Sequence, residues 1–540
     1  MAPKKKRIPT KSELIQLQKL YKTDEKIGER LGGVPAYLVA YWRRKKNVPK
    51  HSQPKFSEKE ILTLWERFGD DDKCGMELGI SKAAFYNWRR RYNIKSKPAF
   101  LKLEQLELNF PGLKLNSGSI SLYNKQTVAQ KIFAEKVDGE DIEVGQEYEV
   151  EPDMVISNGD LSSLYQAFEK LDTDLVWNPN KICISLSDSK NIINKDPETK
   201  KLLRDFVKRQ GIKNIYESSA GSCHQVALEK GHILPGQVVI GVDDYVSAFG
   251  SLSVFASKKD THHLANVWSE GKTIIKIPST IRVEISGRRS RGVYGKDIAL
   301  SVLQQLASQD INGKAVEFYG NVISQMSISE RYVLCNLTRD LGAETAICPF
   351  DSVTRRYLTG RTLTGINPVI ADKNAEYDEV FQINIDQLPP LAGNYSNSSI
   401  KPTAEFEGIP LNVIIMGTSN NGRFNDLRAA AEILKGRKVA SDLKFYVVPS
   451  TRTVYIEALK KGLIRVLVEA GAIILFPGEH SLFDPTIPLL ADGERALVTA
   501  NKSLFGSLDA SKNEIFTASP ATTAASAING SLTDPVRYLK

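Results

Sequence analysis

A short polar loop between two apolar segments is the first place in this sequence where chemistry could be done. It runs from Gly417 to Gly422 and reads GTSNNG. The apolar run Leu411–Met416 before it predicts a buried strand. The apolar residues after it repeat at helical spacing: Leu427, Ala430, Ala431 and Leu434. Backbone N–H groups at the start of such a helix could hold a carboxylate or a phosphate. Glycine and asparagine are also plain turn residues, so both interpretations stay open.

The cysteines are too scattered to predict a disulfide framework or a metal site. The five are Cys74, Cys183, Cys223, Cys335 and Cys348, with no CxxC spacing. This usage suits a reducing compartment and denies an iron–sulfur cluster its usual closely spaced ligands. Glu479 and His480 are adjacent but have no clear third partner, so we predict no metal site there.

Positive charge is concentrated in the N-terminal fifth of the chain. The 540 residues carry a net charge of +9. Residues 1–100 hold 24 Lys and Arg against 11 Asp and Glu, whereas the remaining residues carry a net −4. A basic module on a mildly acidic body is typical of nucleic-acid binding, and a merely solvated basic tail is the alternative.

The same N-terminal region contains an internal repeat. The segment YWRR at 41–44 corresponds to NWRR at 87–90. Each copy predicts three short helices, and in the second copy Gly79 allows a tight bend while Ser81 can cap the next helix. We therefore predict one helix-turn-helix unit over residues 1–50, a second over 51–100 and a linker over 101–120.

Polar and basic side chains of these units are candidates for contacts with double-stranded DNA, because they can reach phosphates and base edges. They are Arg43, Arg44, Lys45, Lys46, Ser81, Lys82, Tyr86, Asn87, Arg89, Arg90 and Arg91. A small helical domain that binds protein and has a solvated basic face is the alternative. Duplex binding that weakens steeply with salt would favour DNA.

The length and composition of the chain limit the number of domains and the class of protein. A chain of 540 residues predicts about three or four domains, and 41% hydrophobic with 25% charged residues is typical of soluble globular protein. We find no apolar run of about 18 residues and no signal-peptide pattern. We expect no membrane association and a cytoplasmic location, with nucleoid association if the source is bacterial or archaeal.

Strand and helix patterns alternate over residues 121–540. Gly236–Val242, Thr273–Ile277 and Thr280–Ile285 predict strands, and helical runs such as Lys296–Ala307 lie between them. This alternation predicts an α/β fold with largely parallel sheets, preceded by a small all-α head.

Several sequence motifs within residues 121–540 resemble those of aconitases and 3-isopropylmalate dehydratase large subunits. They include GSCHQVALEKGHILPG at 221–236, GKAVEFYG at 313–320, LCNLTRDLGA at 334–343, VVPSTRTV at 447–454 and FTASPATTAASAINGSLTDP at 516–535. The stretch LNVIIMGTSNNGRFNDLR at 411–428 resembles the loop that carries the family's first cluster cysteine. The resemblance implies a three-domain α/β/α body of the large-subunit type, without the swivel domain.

The resemblance also implies a reaction, the dehydration and rehydration of a hydroxy-di- or tricarboxylate at a 4Fe–4S cluster held by three thiolates. At the three ligand positions this sequence has Ser419, Glu479 and Leu482. Leucine cannot ligate iron, and a serine with one carboxylate is a poor substitute for thiolates. We therefore expect the family's 4Fe–4S cluster to be absent and no cofactor to be bound.

Other positions that the resemblance assigns to acid–base chemistry or substrate binding are partly changed. The candidates that remain for a remnant cleft are His224, Asp188, Asp243, Asp340 and Lys502. Asp340 replaces a family glutamate, and Lys502 replaces an arginine and its bidentate fork for carboxylates. A satisfied structural histidine is the alternative for His224.

Three functions are open from the sequence. The first is a DNA-binding pseudoenzyme whose inactive body senses a small carboxylate or serves as an assembly platform. The second is an active hydro-lyase that works with a dehydratase small-subunit-like protein and binds a cluster through Cys223, Cys335 and Cys348. The third is a structural or protein-interaction protein. We favour the first, because all three ligand cysteines are replaced together.

Overall fold

The computed structural model describes residues 8–21, 23–48, 56–68, 71–78, 80–92, 94, 125–137, 142–157, 161–186, 197–362, 365–418, 420–478, 482, 489–501 and 508–539. The chain divides into two compact units, Met1–Ser117 and Gly118–Lys540, which we describe separately. Elements are numbered in chain order. No helix within the described ranges is long and apolar enough to cross a membrane.

The first unit is all-α over its described residues, as predicted for the head. Its helices are α1 (Lys11–Tyr21), α2 (Asp24–Arg30), α3 (Ala36–Lys45), α4 (Glu58–Phe68), α5 (Asp71–Glu77) and α6 (Lys82–Arg91). They form two three-helix groups with separate apolar cores. The first core is Leu14, Ile27, Val34, Val39, Trp42 and Val48, and the second is Ile61, Trp65, Cys74 and Phe85. The predicted boundaries of the two repeat units and the linker stay predictions.

One arginine in each group forms an ion pair with the aspartate that begins the middle helix. Arg43 donates to Asp24 through Nε at 2.6 Å and Nη2 at 2.7 Å. Arg89 makes the same pair with Asp71, at 2.7 and 2.9 Å. The hydrogen bond to the aspartate is the main cause that raises the pKa of each arginine. The third helix of each group is thereby tied to the second.

This geometry corrects part of the predicted DNA-binding surface. We expected Arg43 and Arg89 to face outward, but both are buried, because each guanidinium neutralises an aspartate that is itself mostly buried. The remaining candidates are exposed or half-buried: Arg44, Lys45, Lys46, Ser81, Lys82, Tyr86, Asn87, Arg90 and Arg91.

The second unit begins with a parallel five-stranded sheet of order β4-β3-β2-β5-β6. The strands are β2 (Met154–Ser157), β3 (Ile182–Ser185), β4 (Asn214–Tyr216), β5 (Val238–Gly241) and β6 (Phe255–Lys258). The helices along this stretch are α7 (Val128–Ala134), α8 (Leu161–Phe168), α9 (Pro197–Arg209), α10 (Cys223–Glu229) and α11 (Thr261–Glu270). A small antiparallel pair, β1 (Glu147–Val150) with β7 (Thr273–Lys276), accompanies them. The aromatic rings of Phe168, Phe206 and Trp268 pack in the core.

A parallel four-stranded sheet of order β10-β9-β8-β11 follows. Its strands are β8 (Thr280–Ser286), β9 (Ala315–Tyr319), β10 (Thr345–Ile347) and β11 (Glu379–Asn384). Its helices are α12 (Gly295–Leu306), α13 (Asn321–Gln325), α14 (Ile328–Thr338) and α15 (Ser352–Leu358). The side chain of Glu330 caps the start of α14 in a reciprocal bond with Ser327.

The third sheet has seven strands, in the order β13-β12-β18-β17-β14-β15-β16. They are β12 (Leu391–Asn394), β13 (Ser399–Pro402), β14 (Val413–Gly417), β15 (Lys444–Val448), β16 (Ile473–Ile474), β17 (Arg495–Val498) and β18 (Glu514–Ala518). β12 pairs antiparallel with both of its neighbours, β13 and β18, and the other neighbouring strands pair parallel. The helices are α16 (Phe424–Leu434), α17 (Arg452–Lys460), α18 (Leu463–Ala470) and α19 (Pro520–Asn529).

Short 3-10 helices complete the described structure at Pro179–Lys181, Ser218–Ala220, Asp244–Leu252, Arg339–Leu341, Thr403–Phe406 and Pro535–Tyr538. The α/β body and all-α head predicted from the sequence are confirmed. In each sheet, the apolar strands are buried between helices, and the polar connections lie at the ends of the strands.

The connection after β14 is held unusually close to its neighbour strand. Gly417 has φ +119° and Gly422 has φ +86°. A Cβ atom at either position would overlap the carbonyl oxygen of Val448 at the end of β15. Thr418 also has a positive φ, at 76°. Only glycine fits at 417 and 422, and the connection is therefore pinned where β14 and β15 end.

We predict that Asp24→Ala loosens the first three-helix group and leaves the second unchanged. The substitution leaves Arg43 as an uncompensated buried charge, for which a local loss of about 3 kcal/mol is expected. Hydrogen–deuterium exchange of the whole chain measures both groups together, so α4–α6 serve as the internal control for α1–α3. Asp71→Ala is expected to give the reverse pattern. Equal exchange in both groups after either change would contradict the assignment.

We also predict that Gly417→Ala lowers the thermal unfolding midpoint more than Gly436→Ala. Gly436 has φ +74°, but a Cβ there meets nothing within 4 Å. The Gly436→Ala variant therefore reports only the cost of the left-handed backbone conformation, which is roughly 1–2 kcal/mol for a non-glycine residue. Equal losses for the two variants would show that contact with Val448 is not what requires glycine at 417.

Candidate functional site

Two of the predicted cleft residues, His224 and Asp243, lie side by side. His224 is the second residue of α10 and is almost completely buried, at 1% exposure. Asp243 follows β5 and caps the 3-10 helix Asp244–Leu252, because its Oδ1 accepts the backbone N–H of Tyr245 at 2.9 Å. His224 Nε2 is 3.0 Å from Asp243 Oδ1. The carboxylate therefore fixes the orientation of the imidazole ring.

The other nitrogen of His224 faces a different environment. The ring packs 5.8 Å from the ring of Tyr245 and 5.5 Å from that of Phe249. Nδ1 is buried and has no hydrogen-bond partner among the described residues. A histidine with one nitrogen on a carboxylate and the other unoccupied is suited to donate or accept a proton.

The helix that carries His224 is anchored to the seven-stranded sheet. The backbone N–H of Ser222 donates to Ser450 O at 2.9 Å. The hydroxyl of Thr451 donates to both carboxylate oxygens of Glu229, at 2.9 and 3.0 Å. Burial is the main cause that raises the pKa of Glu229. These bonds bring α10 to the turn that follows β15, beside the connection after β14.

Arg423, which ends that connection, is a buried cation that contacts Gln225, the residue after His224. Its Nε donates to Gln225 Oε1 at 2.8 Å and its Nη1 to Asn420 O at 2.6 Å. Its guanidinium lies 3.9 Å from the centroid of the Tyr332 ring. Nη2 is buried without a partner in the described part of the chain. This unused donor could bind a carboxylate oxygen.

Three asparagines from three different segments form a chain of amide hydrogen bonds. Asn420 Nδ2 donates to Asn501 Oδ1, and Asn501 Nδ2 donates to Asn336 Oδ1. Asn336 Nδ2 in turn donates to Asp244 O at 3.0 Å. The chain links the β14 connection, the end of the β17 segment and α14 to the 3-10 helix that Asp243 begins. Such a network holds the site rigidly because each amide orients the next.

Lys296 donates hydrogen bonds to this amide chain. Its Nζ donates to Ala500 O and Asn501 Oδ1, both at 3.4 Å. Burial lowers the pKa of Lys296 to about 7. The neighbouring Asp297 accepts the backbone N–H groups of Leu391 and Tyr294, both at 2.8 Å. Burial raises the pKa of Asp297 to about 7.

The other predicted site residues are not all in the described structure. Asp188, Lys502, Ser419 and Glu479 lie outside the described residues. Asp340 lies in the 3-10 helix Arg339–Leu341 after α14 and lines a cavity of about 490 Å³ together with Tyr395 and Thr517. These five residues therefore stay predictions as members of the site.

The residues at the family's cluster positions do not fit three thiolate ligands. Leu482 is 2% exposed and packs in an apolar cluster with Val413 and Ile415, with no donor atom to offer. The five cysteines are buried in other apolar clusters, and the sulfurs of Cys335 and Cys348 are 3.7 Å apart. Within the described ranges, no three His, Cys, Asp or Glu side chains are grouped to hold a metal. We derive no chemical step through a cluster.

The sequence patterns did not predict several members of this site. Arg423, Asn336 and Asn501 lie in or beside phrases that carried the family resemblance, but nothing in their local pattern showed that they converge. Gln225 directly follows His224, and Lys296 begins a predicted helix. The signal that could have found them was polar residue type at positions where a buried element was expected.

Comparison with known proteins places the second unit in a family. The family model for "Aconitase family (aconitate hydratase)" matches residues 162–395 and 392–530. The 3-isopropylmalate dehydratase large subunit 1 of Methanopyrus kandleri is 36% identical over 424 residues, covering 77% of this chain and 100% of that protein. The methanogen homoaconitase large subunit of Methanocaldococcus jannaschii is 33% identical over 421 residues, covering 76% of this chain and 99% of that protein.

These relatives overturn two predictions. The preferred DNA-binding pseudoenzyme is contradicted, because the relatives are named as dehydratase or homoaconitase large subunits and nothing found supports DNA binding. The prediction that no cofactor or iron–sulfur cluster is bound is contradicted too, because the family that matches implies a 4Fe–4S cluster. The resemblance itself is confirmed. The chain belongs to the aconitase family.

Proposed function

We propose that this chain is the large subunit of a hydro-lyase that removes water from, and adds it to, a hydroxy-di- or tricarboxylate. The observation that carries the proposal is the pair of buried His224 with Asp243, one residue from the Gln225 that binds Arg423, in a body that aligns with the full length of a 3-isopropylmalate dehydratase large subunit. The relatives' names supply two substrate candidates, 3-isopropylmalate and the homoaconitase substrate.

The paired residues can perform the proton transfer that such a reaction needs. Dehydration breaks a C–O bond and a C–H bond, so the leaving hydroxyl must gain a proton and a carbon must lose one. Asp243 orients the His224 ring through Nε2, and Nδ1 is the nitrogen left for substrate. We assign the proton transfer at oxygen to His224 and the orientation of its ring to Asp243.

Arg423 is the residue we assign to substrate binding. Its Nη2 is the unused donor, and the cation is held by Gln225, Asn420 and the face of Tyr332. A carboxylate on Nη2 would be bound by a charge-assisted hydrogen bond in a site from which water is largely excluded.

A separate small subunit is the partner that this proposal requires. The relatives are named as large subunits, which supports an assembly of two kinds of chain. A cytoplasmic location fits the same proposal, whereas nucleoid association rested on the contradicted DNA binding. We also propose the predicted domain division of the chain, with boundaries at residues 1–50, 51–100, 101–120 and 121–540.

The direct test is turnover in the presence of the cognate small subunit. The two chains would be produced together, and conversion of 3-isopropylmalate or homocitrate would be followed by absorbance of the unsaturated acid. Turnover by the assembled pair, and none by either chain alone, is the expected result. A stable pair that converts neither substrate would refute the proposed reaction.

We predict that His224→Gln lowers kcat by about 10²–10⁴-fold, the usual contribution of a positioned acid–base group. Asp243→Asn is expected to lower kcat less than His224→Gln does, because an amide oxygen at position 243 can still orient the imidazole ring. His262→Gln is the matched control, since His262 is an exposed histidine in α11. A full-rate His224→Gln enzyme would exclude the assigned role.

We also predict opposite pH dependences of stability for the two buried neighbours in α12. Lys296 has a folded pKa of about 7 against 10.5 unfolded, so the unfolded state binds more protons between these values and stability rises with pH there. Asp297 has a folded pKa of about 7 against 3.8 unfolded, so the folded state binds more protons and stability falls as pH rises from 3.8 to 7. Unfolding titrations measure both slopes. Lys296→Met is expected to remove the first slope and Asp297→Asn the second, and unchanged slopes would contradict the burial of both charges.

A further inference from the structure

A cavity near the site does not include His224 or Asp243 among its lining residues. It has a volume of about 630 Å³ and lies among the starts of four helices, α12, α14, α16 and α19. These helices have 12, 11, 11 and 10 residues. Helix N-termini carry partial positive charge, so their convergence favours an anion. Two further observations on the cavity wall indicate what kind of anion fits.

The first observation is the set of ionisable side chains on the wall. Four cations line the cavity, Arg289, Lys296, Arg356 and Arg428, against three carboxylates, Glu330, Asp426 and Glu432. All three carboxylates are already engaged. Glu330 pairs with Arg289 and caps Ser327, Asp426 accepts Arg423 N at 3.1 Å, and Glu432 is 3.9 Å from Arg428.

Two of the four cations have no such counter-ion. Neither Lys296 nor Arg356 has a carboxylate within ion-pair distance among the described residues. Lys296 is 1% exposed, whereas Arg356 lies at the surface. Arg289 adds a buried Nη2 without a partner in the described part of the chain. The wall therefore retains donors for an incoming carboxylate at its buried end and at its mouth.

The second observation is an unused acceptor, which an anion alone would not satisfy. Asn421 is 2% exposed, and its Nδ2 donates to Asp426 Oδ2 at 3.3 Å. That bond identifies which amide atom is oxygen. Asn421 Oδ1 is buried and has no partner within the described ranges. A ligand hydroxyl would supply the missing donor, and apolar lining from Ile328, Val333 and Val353 suits a carbon skeleton.

We propose that this cavity is a second binding site, distinct from the His224 cleft, for a small hydroxycarboxylate. Its carboxylates would lie on Lys296, Arg289 and Arg356, and its hydroxyl would donate to Asn421 Oδ1. The site goes beyond the proposed hydro-lyase function, since binding there requires no turnover. Lys296 and Asn421 are also shared with the framework of the cleft, through Asn501 and the β14 connection.

The test is calorimetric titration of the full chain with malate and with succinate, which differ by one hydroxyl. Saturable binding of malate is expected, with succinate weaker by about tenfold because Asn421 Oδ1 then stays unpaired. Arg356→Ala is expected to weaken malate binding by about tenfold, as loss of a charge-assisted bond does. Arg355→Ala is the matched control: it removes the same charge one residue away, and Arg355 does not line the cavity.

Each other outcome would overturn a stated part of the proposal. Absence of saturable malate binding would overturn the site. Equal binding of malate and succinate would overturn the role of Asn421. Equal effects of Arg356→Ala and Arg355→Ala would reduce the binding to general surface charge. Malate binding that Arg356→Ala leaves unchanged would place the ligand in the His224 cleft. A failed turnover assay with intact malate binding would overturn only the hydro-lyase proposal.

Discussion

The close approach of the β14 connection to the end of β15 is the constraint on which the site depends. Gly417 and Gly422 have no side chains, so the chain can turn against the Val448 carbonyl. The turn then presents Asn420 to Asn501 and Arg423 to Gln225. With bulkier residues at either glycine, the connection would move outward and those two bonds would be lost together.

Burial makes the polar groups around this turn interdependent. A buried amide or guanidinium that loses a partner is costly, so the three-asparagine chain and the Arg423 contacts each stabilise the orientation of the next group. His224 Nδ1, Arg423 Nη2 and Asn421 Oδ1 are three of the buried atoms that have no partner among the described residues. Two of them belong to the cleft and the third to the neighbouring cavity. Unsatisfied buried atoms of this kind are where a ligand has most to contribute.

The residues at the family's three cluster-ligand positions show that the identity of metal ligands and the function of a protein are separate questions. Leucine at 482 excludes a thiolate there, and this follows from residue type alone. From it we inferred loss of activity, whereas relatives that align over their full length are named as dehydratase and homoaconitase large subunits. The head shows a related effect. Its basic residues suggested a DNA-binding face, yet Arg43 and Arg89 serve internal ion pairs that recur in both helix groups.

The sequence by itself, through its local residue patterns and the motifs that it shares with the family, determined the fold class of both units and the positions of many helices and strands. Helical spacing and alternating strands predicted the all-α head, strands such as Thr280–Ser286 and the α/β body, because period and capping are properties of neighbouring residues. Only the tertiary structure decided that His224 meets Asp243, that Arg423 meets Gln225, which is 198 residues away, and that Arg89 points inward. Those contacts depend on which elements pack together and on which charges burial forces into pairs. A one-dimensional pattern does not contain that information.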